Sequence, residues 1–203
     1  MGTIPIQLEG SYTFADYFKL TYETEDILNY FGYDYRVESL TLPSENAELD
    51  RLDDLKNRLE EIVPYISLSS EIARRELMIA PVLMDVIHYT QAKLRIGYTV
   101  KASEQLKGEL DYYLETQNNL LVIEAKNADL QKGFTQLATE LIAMDHLVGS
   151  DFLLYGAVST GNIWQFGVLK REPKQIIQDF NLFRSPTDLE ALLQVLVAIL
   201  KAS

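Results

Sequence analysis

The segment "GELDYYLETQNNLLVIEAKN", residues 108–127, carries the clearest structural signal in the chain. It holds two strand-like runs separated by "TQNN", which has the composition of a turn. The second run, "LLVI", leads straight into Glu124 and Lys126, and the first run contains Asp111 among apolar residues. Because strand side chains alternate between faces, Glu124 and Lys126 share one face. The stretch therefore predicts a hairpin whose buried surface ends in charged groups.

Charged groups at the end of a buried strand need compensation. An isolated buried carboxylate is costly, and two neighbouring carboxylates repel unless a cation lies between them. Magnesium takes carboxylate oxygens, and a lysine can orient an attacking water or stabilise charge on a phosphate. Asp111 and Glu124 are therefore candidate ligands of Mg²⁺ or Mn²⁺, with Lys126 beside them. The alternative is an exposed strand end that carries a surface ion pair worth at most about 1 kcal/mol.

The elements around this hairpin predict an α/β protein. A helix over residues 67–92, with Ser69 or Ser70 as N-cap and a kink at Pro81, precedes three successive strands. A second helix over residues 129–148, two further strands and a C-terminal helix follow. This order predicts a mixed central sheet flanked by helices.

The pattern resembles the PD-(D/E)XK nuclease superfamily, which has the restriction-endonuclease-like fold. In that superfamily an acid on one strand is followed by acid-x-lysine on the next strand. Asp111 matches the first acid, and Glu124 with Lys126 matches the acid-x-lysine. Leu110 stands in place of the proline that names the superfamily. The resemblance covers roughly residues 70–170.

Two helices extend the resemblance. Many members carry a glutamine on the helix after the lysine, and Gln136 lies there in this chain. The helix before the strands is similar to that in the nuclease subunits of type I restriction enzymes, and it offers Glu71 and Glu76 as the helix acid. Helical geometry places Glu76 in the middle of the apolar stripe and Glu71 to one side. Because an acid in such a stripe requires a partner, Glu76 is the favoured choice and Glu71 the second.

The charge is unevenly distributed along the chain. The net charge is -12, and residues 1–65 hold 14 acids and 5 bases, against 16 acids and 13 bases in residues 66–203. We expect residues 1–65 to form an acidic, mainly helical extension. Residues 66–203 would form the restriction-endonuclease-like core with its C-terminal helix, both parts making one compact unit.

The composition excludes several kinds of site and location. The chain has no cysteine and two histidines, which excludes a thiolate zinc site and leaves oxygen ligands for a metal. The N-terminal residues lack the basic and apolar regions of a signal peptide, and no apolar run approaches the length of a membrane span. We expect a soluble, cytoplasmic protein without a membrane partner.

The resemblance implies a magnesium-dependent nuclease that hydrolyses phosphodiester bonds in DNA. Asp111 and Glu124 would hold the metal, Lys126 would act on the water or the phosphate, and Gln136 and Glu76 would support them. The rival interpretation is a catalytically silent binding or scaffold protein, which the net acidity favours because DNA binding gains affinity from basic residues. A basic partner subunit would reconcile the two interpretations, and a homodimer is a further possibility. An acidic DNA mimic is a third, weaker alternative.

Two smaller features also have alternative interpretations. Trp164, the only tryptophan, shares a strand face with Phe166, which favours core packing over base stacking. Lys93 and Arg95 form the one local basic cluster, which is either a solvated strand face or part of a phosphate-binding groove.

Overall fold

The computed structural model describes residues 6, 8–117, 119–150 and 152–201. The α-helices in these ranges are α1 (Phe14–Tyr17), α2 (Thr24–Tyr30), α3 (Leu52–Ile62), α4 (Glu71–Arg74), α5 (Ala80–Thr90), α6 (Leu130–Leu147) and α7 (Leu189–Lys201). The strands are β1 (Asp34–Glu38), β2 (Lys93–Lys101), β3 (Lys107–Glu115), β4 (Asn119–Ala125), β5 (Leu153–Ser159), β6 (Ile163–Lys170), β7 (Gln175–Asp179) and β8 (Phe183–Arg184). A short 3-10 helix, Val63–Tyr65, follows α3. A π-helical turn, Arg75–Ile79, joins α4 to α5.

The strands form one mixed sheet in the order β1-β7-β6-β5-β4-β3-β2, and β8 pairs with β6. The meander β2-β3-β4 is antiparallel, as the turn signals predict. Helix α6 then carries the chain to β5, which is parallel to β4. The chain is therefore an α/β protein with a mixed sheet flanked by helices, which confirms the predicted class.

Each face of the sheet is covered by a separate hydrophobic cluster. Leu121, Ile123 and Ala125 of β4 pack with residues of α3, α5 and α7. Leu120 and Val122 point the other way and pack with residues of α6. Because β4 is buried on both faces, a charged side chain at its end lies inside the protein.

Helix α6 lies very close to the sheet because glycines face it. A Cβ atom built on Gly167 of β6 would lie 2.6 Å from the Phe134 ring, and one on Gly156 of β5 would lie 2.9 Å from Leu137. Such distances are shorter than a van der Waals contact, so larger residues here would push the helix away. These contacts fix the position of the helix that carries Gln136.

The helix before the strands is interrupted earlier than the sequence predicts. Ser70 is the N-cap, and its side chain accepts a hydrogen bond from the Ala73 amide at 3.1 Å. Pro81 lies in the first turn of α5, and the π-helical turn precedes it. A proline ring clashes with the carbonyl four residues earlier, and the widened turn relieves that clash.

The N-terminal extension is built into the core. Strand β1 pairs in parallel with β7 and forms one edge of the sheet. Helix α1 packs on α6, and the fully buried Phe14 lies against Gly108 of β3. Residues 8–65 therefore contribute a strand and core side chains as well as helices.

Trp164 and Phe166 are both fully buried in the cluster that includes α7, which confirms core packing for this pair. Within the described ranges, no helix combines the length and apolar character that a membrane crossing requires.

Candidate functional site

Asp111 and Glu124 lie side by side on neighbouring strands. The register pairs Tyr112 of β3 with Ile123 of β4, so Asp111 and Glu124 occupy the adjoining positions on the face covered by α6. Asp111 accepts a hydrogen bond from the Ala125 amide through Oδ2, at 2.9 Å. The carboxylate thus takes a backbone donor at the end of β4.

Lys126 is turned back onto Glu124. Its Nζ donates a hydrogen bond to Glu124 Oε1, and both residues are buried, with exposures of 8% and 2%. The Lys126 stem passes under Gly133 of α6, where a Cβ atom would lie 2.9 Å from Lys126 Cγ. The ammonium lies 5.1 Å from the centre of the Phe18 ring, which comes from the N-terminal extension. The acid-x-lysine pair is therefore enclosed by α6 and by residues near α1.

Gln136 lies where the resemblance places it. Its Nε2 donates to Glu124 Oε1 at 2.6 Å and to Glu140 Oε1 at 3.0 Å. Glu140 is fully buried one turn further along α6. The sequence interpretation missed Glu140, although an acid four residues after Gln136 in an apolar helix is a usable signal.

The buried carboxyl groups share a proton. Burial, together with the nearby Asp111 charge, raises the pKa of Glu124. Burial raises the pKa of Glu140 well above its ordinary value, and Gln136 Nε2 donates to both carboxyl groups. Since two ionised carboxylates buried close together repel each other, one of them carries a proton. We assign it to Glu140, because Lys126 stabilises negative charge on Glu124.

Lys126 is an ammonium ion at neutral pH. Burial favours the neutral amine, but the Glu124 carboxylate outweighs this effect, and the pKa of Lys126 is raised. The side chain is therefore suited to stabilise negative charge and to hold a water molecule, and not to remove a proton.

The helix acid that faces this cluster is Glu71. Glu71 Oε2 lies 3.9 Å from Lys126 Nζ, whereas Glu76 is exposed. The expectation that Glu76 lies in the core-facing stripe is wrong. Ideal helical geometry fails here because the π-helical turn Arg75–Ile79 has more residues per turn, which rotates Glu76 away from that stripe.

Arg75 is a second member of the cluster that the sequence interpretation missed. Its Nη1 lies 2.8 Å from Asp111 Oδ1. The guanidinium also lies over the Tyr112 ring, 5.3 Å from its centre. No pattern in the sequence distinguishes Arg75 from Arg74, because the π-helical turn decides which arginine points to the strands.

Two adjoining clefts open onto these residues. One, of about 440 Å³, is lined by Thr13, Ala15, Glu71, Thr99, Gly108, Glu109, Asp111, Glu124, Lys126 and Gln136. The other, of about 510 Å³, shares Ala15, Glu71, Lys126 and Gln136 with the first and extends along Phe18, Lys19 and Lys132. Asp111, Glu124, Lys126 and Gln136 thus meet at one accessible site, and Glu71 joins them.

Within the described part of the chain, no group of three or more His, Cys, Asp or Glu side chains is arranged to hold a metal ion. Asp111 and Glu124 each contact a cationic side chain of the protein, Arg75 and Lys126 respectively. The charges of Asp111 and Glu124 are therefore each balanced by a cation of the protein.

The basic cluster on β2 is ion-paired. Arg95 and Lys93 lie 3.0 and 3.8 Å from the Glu115 carboxylate. Arg95 also stacks on Tyr98, 4.7 Å from the ring centre. This arrangement favours an ion-paired strand face over a phosphate-binding groove.

Comparison with protein-family models, with curated proteins and with solved structures found no match for this chain. The side chains of the site and the order of the strands are accordingly the basis for assigning a function.

Proposed function

We propose that this chain is a metal-dependent nuclease that hydrolyses phosphodiester bonds in DNA. The observation that carries the proposal is the meeting of Asp111, Glu124 and Lys126 in one cleft, with Gln136 donating to Glu124. These are the residues of the motif, and they come from two strands and the helix that follows.

The topology supports a restriction-endonuclease-like core. A helix, an antiparallel three-stranded meander, a crossover helix and a parallel strand follow one another from α4 to β5. The acid and the acid-x-lysine lie on the second and third strands of this unit, as the PD-(D/E)XK resemblance implies. Strands β6, β7 and β1 would be additions to that core.

The donor chemistry fits a magnesium or manganese ion. Asp111 and Glu124 offer carboxylate oxygens at adjoining strand positions, and both line the first cleft. Such hard oxygen donors suit Mg²⁺ and Mn²⁺. When bound there, the ion would supply positive charge to polarise a phosphate and to acidify a water molecule.

The remaining side chains have distinct tasks. Lys126 would hold a water molecule or stabilise the charge that develops on the phosphate. Gln136 holds Glu124 in position by hydrogen bonding. Glu71, which is accessible and close to Lys126, is the candidate acceptor for a proton from the water. In this role Glu71 replaces Glu76.

The proposal is tested by cleavage of labelled single-stranded and duplex DNA with Mg²⁺ or Mn²⁺. We expect Asp111→Asn and Lys126→Met to lower the rate at least about 100-fold, the scale of a lost charge-stabilising or proton-transfer group. Lys56→Met is the control, because Lys56 is exposed on α3 and outside both clefts. Activity of both site variants at the level of the parent would refute the assignment.

A catalytically silent binding or scaffold protein is the second candidate. It is favoured by the ion pairs Arg75–Asp111 and Lys126–Glu124, which give the charged residues a structural role without a metal. The net charge of -12 also favours it, since a basic partner subunit would then supply the contacts to DNA. DNA left intact by the parent at every metal concentration, with Mn²⁺ binding absent in calorimetry, would favour this function.

A further inference from the structure

Asp111 is held by donors on both of its oxygens. Arg75 Nη1 lies 2.8 Å from Oδ1, and the Ala125 amide donates to Oδ2 at 2.9 Å. The amide is neutral, but the guanidinium carries a positive charge. A divalent cation at Asp111 would therefore meet an arginine that already neutralises this carboxylate and repels the ion.

Arg75 reaches Asp111 from a helix on the opposite face of the sheet. Tyr112 OH donates to the Arg75 carbonyl at 3.1 Å, and the guanidinium packs over the Tyr112 ring. These contacts hold the backbone and the aliphatic part of Arg75, while the ion pair with Asp111 holds its guanidinium. The Arg75 Nε is buried and has no acceptor among the described residues, so a ligand would meet the guanidinium at its Nη1 edge beside Asp111.

A phosphate is the ligand that suits such a group best. The planar guanidinium binds phosphate oxygens in bidentate fashion, and a substrate phosphate beside Asp111 would lie within reach of the arginine tip. The phosphate and Asp111 would then compete for Arg75, just as Arg75 and the metal compete for Asp111. A ligand that removes Arg75 from Asp111 thereby improves the metal site.

We infer that Arg75 couples metal binding to substrate binding. Without substrate, Arg75 occupies Asp111 and weakens metal binding. A phosphodiester in the cleft draws Arg75 away and leaves Asp111 to the metal, so each ligand strengthens the binding of the other, and by the same factor. The inference rests on the proposed function and adds a positioning residue that prevents stable metal loading in the absence of substrate.

Two binding measurements on the full chain test this inference. Calorimetry gives the Mn²⁺ affinity of the protein alone, and fluorescence anisotropy gives the affinity for a labelled 12-nucleotide phosphorothioate DNA at several Mn²⁺ concentrations. We expect Arg75→Gln to bind Mn²⁺ alone about 10-fold more tightly than the parent does, within the usual range of coupling between sites. Mn²⁺ should strengthen DNA binding about 10-fold more in the parent than in Arg75→Gln, where only the direct contact between the ion and the phosphate remains.

Arg74→Gln is the matched control. It removes the same charge from the neighbouring residue, whose guanidinium donates to the Thr160 carbonyl at 2.7 Å. It should retain the coupling of the parent. If Arg75→Gln does not fold, Arg75→Lys keeps the charge but loses the planar fork, and its coupling should be smaller than that of the parent.

Mn²⁺ binding in Arg75→Gln that is equal to or weaker than in the parent would overturn the inference. An Arg74→Gln variant that tightens Mn²⁺ binding as much as Arg75→Gln does would also overturn it. Absence of Mn²⁺ binding in both the parent and Arg75→Gln would overturn it as well. The proposed function fails by a different measurement, the absence of DNA cleavage, so the two failures are distinguishable.

Discussion

Glu140 is buried beside Glu124 without a cation of its own, and its proton makes stability depend on pH. Burial raises the pKa of both side chains above the ordinary value of 4.5. The folded protein therefore binds more protons than the unfolded chain as the pH rises above 4.5. The stability that this proton contributes is fully present below the ordinary pKa of 4.5, and it is lost as the pH rises through the raised pKa values of the folded protein.

Glu140→Gln should flatten this dependence. A glutamine can accept from Gln136 through its carbonyl oxygen, as Glu140 does through Oε1, but it has no proton to lose. We expect the variant to gain roughly 1–3 kcal/mol over the parent above pH 8, the cost of a buried polar group that lacks its partner. Thermal unfolding at intervals from pH 5 to pH 9 measures this difference.

Glu190→Gln, on the exposed side of α7, provides the comparison for loss of one acid. It should follow the pH dependence of the parent. A Glu140→Gln profile that runs parallel to that of the parent would mean that the proton does not reside on this pair.

Among the individual residues of the site, the sequence predicts those near the strands but only one of those on the helices. Asp111, Glu124 and Lys126 interrupt strand patterns, which makes them visible to alternation alone. Gln136 was found through the resemblance, while Glu71 was the second choice. Arg75 and the Glu71 position depend on a π-helical turn that no periodicity reveals. Glu140 belongs to the site because Gln136 links it to Glu124 across the contact between α6 and β4.

Helix α6 positions the site because it lies almost in contact with the strands. Gly133 is the point where the Lys126 stem passes beneath the helix, and a Cβ atom there would also lie 2.9 Å from Val158. Gly133→Ala should displace Lys126 from Glu124. We expect a loss of roughly 1–3 kcal/mol in stability from overpacking, together with a lower cleavage rate.

Gly149→Ala is the control for this substitution, because no atom lies within 4 Å of a Cβ atom at that position. Urea denaturation and the DNA cleavage assay on both variants separate the two effects. Unchanged cleavage in Gly133→Ala would mean that the lysine stem can move without consequence.

The order of elements was predictable, whereas their pairing was only partly so. Turn signals and alternation indicated β2, β3 and β4 with their antiparallel connections. The pairing of β1 with β7 joins segments far apart in the sequence, and nothing local in either strand specifies that partner. The sequence therefore suggested an appended helical extension where the structure has an edge of the sheet.

As a whole, the molecule should unfold in a single transition. Strand β1 shares the sheet with the core, and helix α1 packs on α6, so the N-terminal residues lose their partners when the core unfolds. Urea denaturation followed by Trp164 fluorescence and by far-ultraviolet circular dichroism should give coincident curves. The fluorescence reports the fully buried core, while the dichroism reports all elements. An early dichroism transition without a fluorescence change would instead indicate an independently unfolding extension.

The parallel pairing of β1 with β7 also imposes an order on biosynthesis. Asp34 leaves the ribosome early, yet its partner Gln175 emerges only when most of the chain has been made. Until then β1 has no strand to pair with, and its open edge can meet the β7 edge of another nascent chain. Exchange of this one strand between two copies would give a swapped dimer with the same sheet, so a contact that forms late in each monomer is also open to a neighbour.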